Sequence, residues 1–212
     1  MFDRIKNMQT IVKAKSRLLS LLREKSVENG DFVLSSGAKS SYYVDCKLTT
    51  LDPEGAWLVG QVMHSLIQTE AEARAIQINA VGGLTMGADP IALALGMYSF
   101  WHKDRPPMQT FIVRKTPKPH GRTKLIEGNF KRGDLVVVLD DVITRGDSTL
   151  SAIKAVEDEG GKVAFVAVLV DRQEGGREKI ERSGHSVVAA FKRNELIDTC
   201  AELPQPATCV PA

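Results

Sequence analysis

Cysteine is scarce in this chain, and the little there is excludes chemistry rather than suggesting it. The three residues, Cys46, Cys200 and Cys209, are odd in number and lack the paired spacing of a metal site. Neither a disulfide framework nor a thiolate metal centre is expected, and the thiols are read as those of a reducing compartment. Charge of one sign is equally lacking. Twenty-eight Lys and Arg face 26 Asp and Glu over 212 residues, a net charge of +2, too small for nucleic-acid binding by bulk electrostatics. Any anion must therefore meet a local site. No stretch approaches the roughly 20 apolar residues of a membrane span, and the opening MFDRIKNMQTIVKAKSRLL has no apolar signal core, so no membrane partner is expected and a cytoplasmic location is. Two common phosphate signatures are missing as well: a Gly-Lys-Ser/Thr Walker loop, and G-x-G-x-x-G after a strand-like run.

What is present is the composition of a globular domain, 43% hydrophobic and 25% charged, long enough to bury a core without a covalent staple. Strand-like and helix-like segments alternate. Residues 11–25 carry Ile11, Val12, Leu18, Leu19, Leu21 and Leu22 at helical spacing. FVLSSGAKSSYYVDCKL then reads as a small antiparallel element. A helix over roughly 54–69 leads to AIQINAVGG, a strand ending in two glycines, and the next helix starts near Asp89-Pro90. TFIVRK is a strand, residues 116–129 a polar mobile loop, LVVVL a buried strand, and 148–159 a helix stopped by Gly160-Gly161. VAFVAVLV is another all-apolar strand. Strands buried on both faces and separated by helices predict an α/β fold with an open, mostly parallel sheet flanked by helices.

The chemistry concentrates in LVVVLDDVITRGDSTLSAI, residues 135–153. In such sheets ligands sit beyond the carboxyl ends of strands, where loops feed helix N-termini. Asp140 and Asp141 occupy that position. The loop after them brings backbone N–H groups, hydroxyls and the positive end of a helix dipole to one spot, which suits a phosphate. Two carboxylates beside it would repel a bare phosphate, so they must face sugar hydroxyls, or magnesium held through water, on the same ligand. A ribose phosphate carries both groups. The blander alternative is that two acids merely end a strand and cap a helix.

The run VVVLDDVITRGDST resembles the PRPP-binding motif of type I phosphoribosyltransferases. Three further segments narrow the resemblance to the orotate phosphoribosyltransferase family over about residues 18–200: FVLSSGAKSSYYVD (32–45), like the N-terminal hood; VRKTPKPHG (113–121), like the strand and flexible loop; and LVDRQEGG (169–176), like the strand end bearing an orotate-contacting arginine. The resemblance implies a type I phosphoribosyltransferase domain over 1–205, with a hood from about 1–50 plus a C-terminal segment, and a flexible tail over 206–212. It implies magnesium-dependent transfer of ribose 5-phosphate from PRPP to orotate, giving orotidine 5′-monophosphate and pyrophosphate in pyrimidine synthesis. Lys118, His120 and Asp141 would be catalytic. PRPP would be held by Arg114, Lys115, Lys118, His120, Asp140, Asp141, Val142, Ile143, Thr144, Arg145, Gly146, Asp147 and Ser148; orotate by Thr144, Arg172, Tyr42 and Tyr43. Magnesium would arrive with PRPP and water near Asp140 and Asp141, without direct protein ligands. Arg114, Lys118 and His120 would cross a homodimer into the neighbouring site, while Lys115 serves its own.

The polar composition of that loop suits a lid that excludes water over a polyphosphate, where fixed cations stabilise the leaving group. The sequence also departs from the family pattern. Ser35 stands where some members carry a lysine before Ser-Gly, and Met86 stands where a lysine often faces pyrophosphate, although the Thr85 and Met86 N–H groups could still serve it. Asp147 inside the phosphate loop is unfavourable to a dianion unless it points away, and Arg145 could offset it. A sister enzyme for another base should lose the hood pattern. A PRPP-sensing regulator should bring a basic DNA-binding extension. His64, His102 and His185 are read as structural or solvent-facing.

Overall fold

The computed structural model describes residues 2–33, 39–104, 106–116 and 125–197. Six strands form one sheet in the order β5-β4-β3-β6-β7-β8: β3 (Ala80–Leu84), β4 (Gln109–Val113), β5 (Ile126–Gly128), β6 (Leu135–Ile143), β7 (Lys162–Asp171) and β8 (Val187–Lys192). All neighbours pair in parallel except β5, which runs antiparallel to β4 at the edge. The fold is therefore α/β with a mostly parallel sheet. The short strand β5 corrects the expectation of continuous loop over 116–129: Ile126 is buried against the sheet while Glu127 and Gly128 turn outward, so one apolar residue suffices to add an edge strand.

The central strands explain their uninterrupted apolar runs. On β6, Val137 and Leu139 join the core beneath α1 (Phe2–Lys25), α3 (Pro53–Ala73) and α4 (Ala88–Trp101), while Val136 and Val138 join the core beneath α5 (Asp147–Asp158) and α6 (Gly176–Arg182). Strand β7 divides likewise, Phe165, Ala167 and Leu169 to one side and Val166 and Val168 to the other. Alternate side chains meet helices on opposite faces, so no position is left for a polar residue. Each fully buried large aliphatic side chain contributes roughly 1.5–3 kcal/mol.

Helix α1 is longer than the expected 11–25, beginning at Phe2. Among the described residues no helix is long and apolar enough to cross a membrane. Asp52 starts α3: its carboxylate accepts the Gly55 N–H at 2.9 Å, with Pro53 at the first helical position. A separate antiparallel pair, β1 (Val27–Val33) and β2 (Lys39–Val44), occupies the stretch expected as the hood, and the one-turn helix α2 (Lys47–Thr50) follows it.

Candidate active site

Strand β6 ends in Asp140 and Asp141, and the alternation of the strand sends their side chains to different surroundings. Asp140 is buried; it accepts the Thr149 hydroxyl at 2.6 Å and the Asp141 N–H at 3.0 Å. Burial pushes its carboxyl up to about 7, with the negative charge of Asp141 adding to the shift. Asp141 is half-buried and accepts the Val142 N–H at 3.0 Å. The turn from β3 into α4 reaches it so closely that a Cβ on Gly87 would lie 2.3 Å from Asp141 Oδ1. A side chain there would displace the Asp141 carboxylate.

Between β6 and α5 the chain needs a left-handed residue, and Gly146 supplies it at φ 79°. No side chain caps α5, which leaves its first N–H groups facing the loop with the positive end of the dipole behind them. Two cavities meet here. One, of about 220 Å³, is lined by Asp140, Val142, Thr144, Arg145, Gly146, Asp147 and Ser148. The other, of about 210 Å³, is lined by Lys47, Leu84, Thr85, Met86, Gly87, Lys115, Asp140, Asp141 and Ser148. Asp140 and Ser148 are common to both, so the loop cavity and a second polar compartment share one wall.

Several expected roles change in detail. Asp147, at the rim of the loop cavity, pairs with Lys179 of α6, which holds its carboxyl below the usual range, while Arg145 contributes less. The cation that relieves Asp147 is thus Lys179, 32 residues downstream. Thr149 is buried and spends its hydroxyl on Asp140. The side chain of Ile143 lies in the core and its carbonyl accepts the Arg172 N–H at 3.1 Å. The Thr85 N–H donates to the Val113 carbonyl at 2.8 Å and its hydroxyl to Asp89 at 2.7 Å, so Thr85 does not offer its N–H to a ligand as the sequence suggested.

At the end of β7, Arg172 is 4% exposed. Its Nη2 lies 2.8 Å from Glu174 Oε1, close enough for an ion pair but not directed as a hydrogen bond, and Nε and Nη2 have no hydrogen-bond acceptor. A buried guanidinium with unused donors is costly to the fold, which points to a ligand acceptor. Its guanidinium carbon stands 5.0 Å from the Tyr42 ring centroid. Tyr42 is buried in the hood, whereas Tyr43, next along β2, is exposed and packs 5.7 Å from Phe32. The hood aromatics therefore divide, one beneath Arg172 and one at the surface.

Arg114 donates through Nε to the Thr116 carbonyl at 3.3 Å and lies 3.9 Å from Glu127, while Lys115 is exposed and lines the second cavity. Lys118 and His120 lie outside the described residues, as do Ser35 and the tail from 198. Burial pushes the Cys46 thiol well up, with Asp141 adding to it, which fits a cysteine without catalytic work. The sequence reading missed Lys47, Glu174 and Lys179. Lys47 and Lys179 reach the site from distant segments that no local pattern marks, whereas Glu174 lies within the LVDRQEGG run itself, two residues after Arg172.

No protein-family model matches the chain. Among curated proteins it is 44% identical over 186 residues to orotate phosphoribosyltransferase of Aquifex aeolicus, covering 86% of this chain and 97% of that one. It is 40% identical over 184 residues to the Tropheryma whipplei enzyme of the same name, covering 87% and 83%. A crystal structure of Mycobacterium tuberculosis orotate phosphoribosyltransferase in complex with PRPP superimposes with a TM-score of 0.68 at 36% identity, covering 86% of this chain and 98% of that one. Adenine phosphoribosyltransferase of Leishmania tarentolae, at 14% identity and a TM-score of 0.58 over 85% and 89% of the two chains, shares the fold alone.

The sheet order, with an acidic pair and an uncapped helix start at the end of β6, is that of a type I phosphoribosyltransferase. Within that class, the identity held over most of the chain settles the assignment: the chain belongs to the orotate phosphoribosyltransferase family of enzymes.

Proposed function

We propose that the protein transfers ribose 5-phosphate from PRPP to orotate, releasing pyrophosphate and orotidine 5′-monophosphate in cytoplasmic pyrimidine synthesis. The observation that carries this reading is the adjacency of a phosphate loop and acidic pair at β6 to a buried Arg172 with unused donors at β7. The uncapped start of α5 receives the 5-phosphate, and Asp140 and Asp141 accept from ribose hydroxyls. Arg172 and Thr144 receive the orotate carboxylate; a charge-assisted pair in a buried pocket rejects a base without a carboxylate. A ring nitrogen of orotate then bonds to C1 as the C1–oxygen bond to pyrophosphate breaks; the leaving oxygen takes up the electron pair, and the proton of the ring N–H passes to the departing pyrophosphate. Lys115, with Lys118 and His120 of the lid segment, meets the negative charge that develops there.

The donor set suits magnesium. Asp140 and Asp141 are hard oxygen donors beside a phosphate cavity, appropriate to a hydrated ion carried in on the diphosphate. When bound, the ion neutralises the leaving pyrophosphate.

A homodimer completes the proposal. Helix α4 exposes Leu93, Met97, Phe100 and Trp101, a stripe at helical spacing, and the exposed Leu51 and Met86 join Leu93 and Met97 in lining an apolar cavity of about 550 Å³. A contiguous apolar surface of this kind is unfavourable in water and marks an interface. Met86 and Lys47 line both this cavity and the polar one, so a second copy seated here stands next to the diphosphate compartment. The test is orotate absorbance after mixing protein, PRPP and magnesium, with uracil, adenine and hypoxanthine as competing bases. Consumption of orotate alone is expected; turnover of another base instead would overturn the role of Arg172.

A further inference from the structure

The diphosphate compartment contains a cation that neither the motif nor the family pattern assigns. We propose that Lys47 binds the diphosphate of PRPP and of the released pyrophosphate, taking the part of the cations replaced by Met86 and Ser35; this rests on the phosphoribosyl-transfer reading above. Lys47 opens α2 directly after the hood strand β2, and its side chain forms one wall of the cavity whose other walls include the 84–87 turn, Lys115 and the acidic pair.

Charge balance makes the case. The cavity is lined by two carboxylates, Asp140 and Asp141, and by two lysines, Lys47 and Lys115. Without Lys47 the carboxylates would outnumber the cations at a place meant to take a polyanion. The Met86 side chain, 67% exposed, adds no charge. Lys47 is also held ready. Its Nζ lies 2.6 Å from Asp45 Oδ1, and the same oxygen accepts the Lys47 backbone N–H at 3.0 Å, so one carboxylate fixes both ends of the residue. Burial opposes the ammonium form, but Asp45 and Asp141 together outweigh it and keep the group protonated. A diphosphate entering the cavity replaces or shares Asp45 as the partner.

The competing assignment is an ordinary ion pair with Asp45. Such partly exposed pairs are worth at most about 1 kcal/mol, so that assignment predicts little effect of Lys47 on any ligand. The experiment is calorimetric titration of magnesium pyrophosphate, PRPP and ribose 5-phosphate into wild type, Lys47→Met and Lys47→Arg, with melting curves to check the fold. Lys47→Met should weaken pyrophosphate and PRPP by about 10- to 100-fold, as loss of one charge-assisted contact does. It should leave ribose 5-phosphate, which lacks the diphosphate, within about 2-fold, and Lys47→Arg should recover most of the loss. Unchanged pyrophosphate affinity in Lys47→Met, or an equal loss for ribose 5-phosphate, overturns the proposal. Wild type that binds neither PRPP nor pyrophosphate overturns the phosphoribosyl-transfer reading itself, and the role of Lys47 with it.

Discussion

Arg172 sits over the ring of Tyr42: its guanidinium carbon lies 5.0 Å from the ring centroid, and Arg193 approaches the same ring at 5.1 Å. The hood thus supplies a platform that aims a β7 arginine. Tyr42→Leu keeps apolar volume but removes the face that attracts the cation, a contribution on the order of 1–2 kcal/mol when desolvated. We expect the orotate KM to rise about 10-fold, with the KM for PRPP little changed and Tyr42→Phe close to wild type. Steady-state kinetics with each substrate varied separately reads this split, and an equal rise in both constants would refute the platform.

Arg172 itself sets activity against stability. Its Nε and Nη2 lack hydrogen-bond acceptors in a buried setting, so replacing it with Met removes a desolvation cost along with the carboxylate contact. The expected result is a loss of at least about 10²-fold in kcat/KM for orotate with a melting temperature equal to or above that of wild type. A marked fall in melting temperature would show that the arginine holds the fold through the Glu174 pair instead.

Asp140 gives a pH signature with a definite sign. Its carboxyl titrates near 7 when folded and near 3.8 when unfolded. The folded chain therefore holds a proton that the unfolded chain releases between those values, and its stability contribution, full below about 3.8, is lost as pH rises to about 7. Asp140→Asn cannot ionise, and its amide can donate to Thr149 Oγ while its oxygen accepts the Asp141 N–H. We expect Asn to stabilise by something on the order of 1–3 kcal/mol at pH 8 and by almost nothing near pH 4, while transferase activity falls. Melting curves of both proteins across that range check it; a gain independent of pH would mean that burial does not set the carboxyl's titration.

Much of this was legible in the sequence, and the limits are physical. LVVVLDD marked strand, acids and loop together because a doubly buried strand cannot take polar residues until it emerges at the ligand end. The glycine at 146 and the helix after it followed from local chemistry. Gly82 and Gly83 were legible as the end of a strand, but not the reason for them: a Cβ on Gly83 would lie 2.0 Å from the Leu139 carbonyl of the neighbouring strand. Contacts across a sheet leave no local pattern, and for the same reason Lys179 beside Asp147 and Lys47 beside the acidic pair were invisible.

The exposed stripe on α4 and the trans role of Arg114, Lys118 and His120 are tested together. Lys118→Ala removes a lid cation and should lower kcat by roughly 10²-fold or more. Asp141→Asn disables the acidic pair of its own chain. Mixing the two inactive chains under conditions that exchange subunits should restore part of the wild-type activity, because each hybrid dimer contains one site with both groups intact. Adding Met97→Asp to both chains should abolish dimers on sizing and abolish rescue. Rescue that survives in the monomer, or none in demonstrated hybrids, would show that each site is complete within one chain.

His64, midway along α3, offers the last test. Its Nε2 lies 2.6 Å from Asp104 Oδ2, an oxygen that also accepts the Ser99 hydroxyl at 2.6 Å, while His102 Nδ1 lies 3.3 Å from Asp104 Oδ1. Burial lowers the His64 pKa below its usual 6.5; the hydrogen bond and charge of Asp104 oppose this without overcoming it, and His102 lowers it further. Burial also works against the Asp104 carboxylate, but its bonds to Ser99, His64 and His102 outweigh it and hold that group below 3.8. The two windows are therefore separate. As pH falls through 6.5, unfolded His64 takes a proton that folded His64 refuses, and stability drops by up to about 1.4 kcal/mol per pH unit until the folded pKa is reached. The Asp104 contribution persists until below 3.8. His64→Gln, which cannot titrate, should flatten the stability curve just below pH 6.5 while leaving orotate turnover at pH 8 intact, since its partners Asp104, Tyr98 and His102 line neither site cavity. Denaturant midpoints for both proteins across that interval decide the matter: parallel curves would place the acid sensitivity elsewhere.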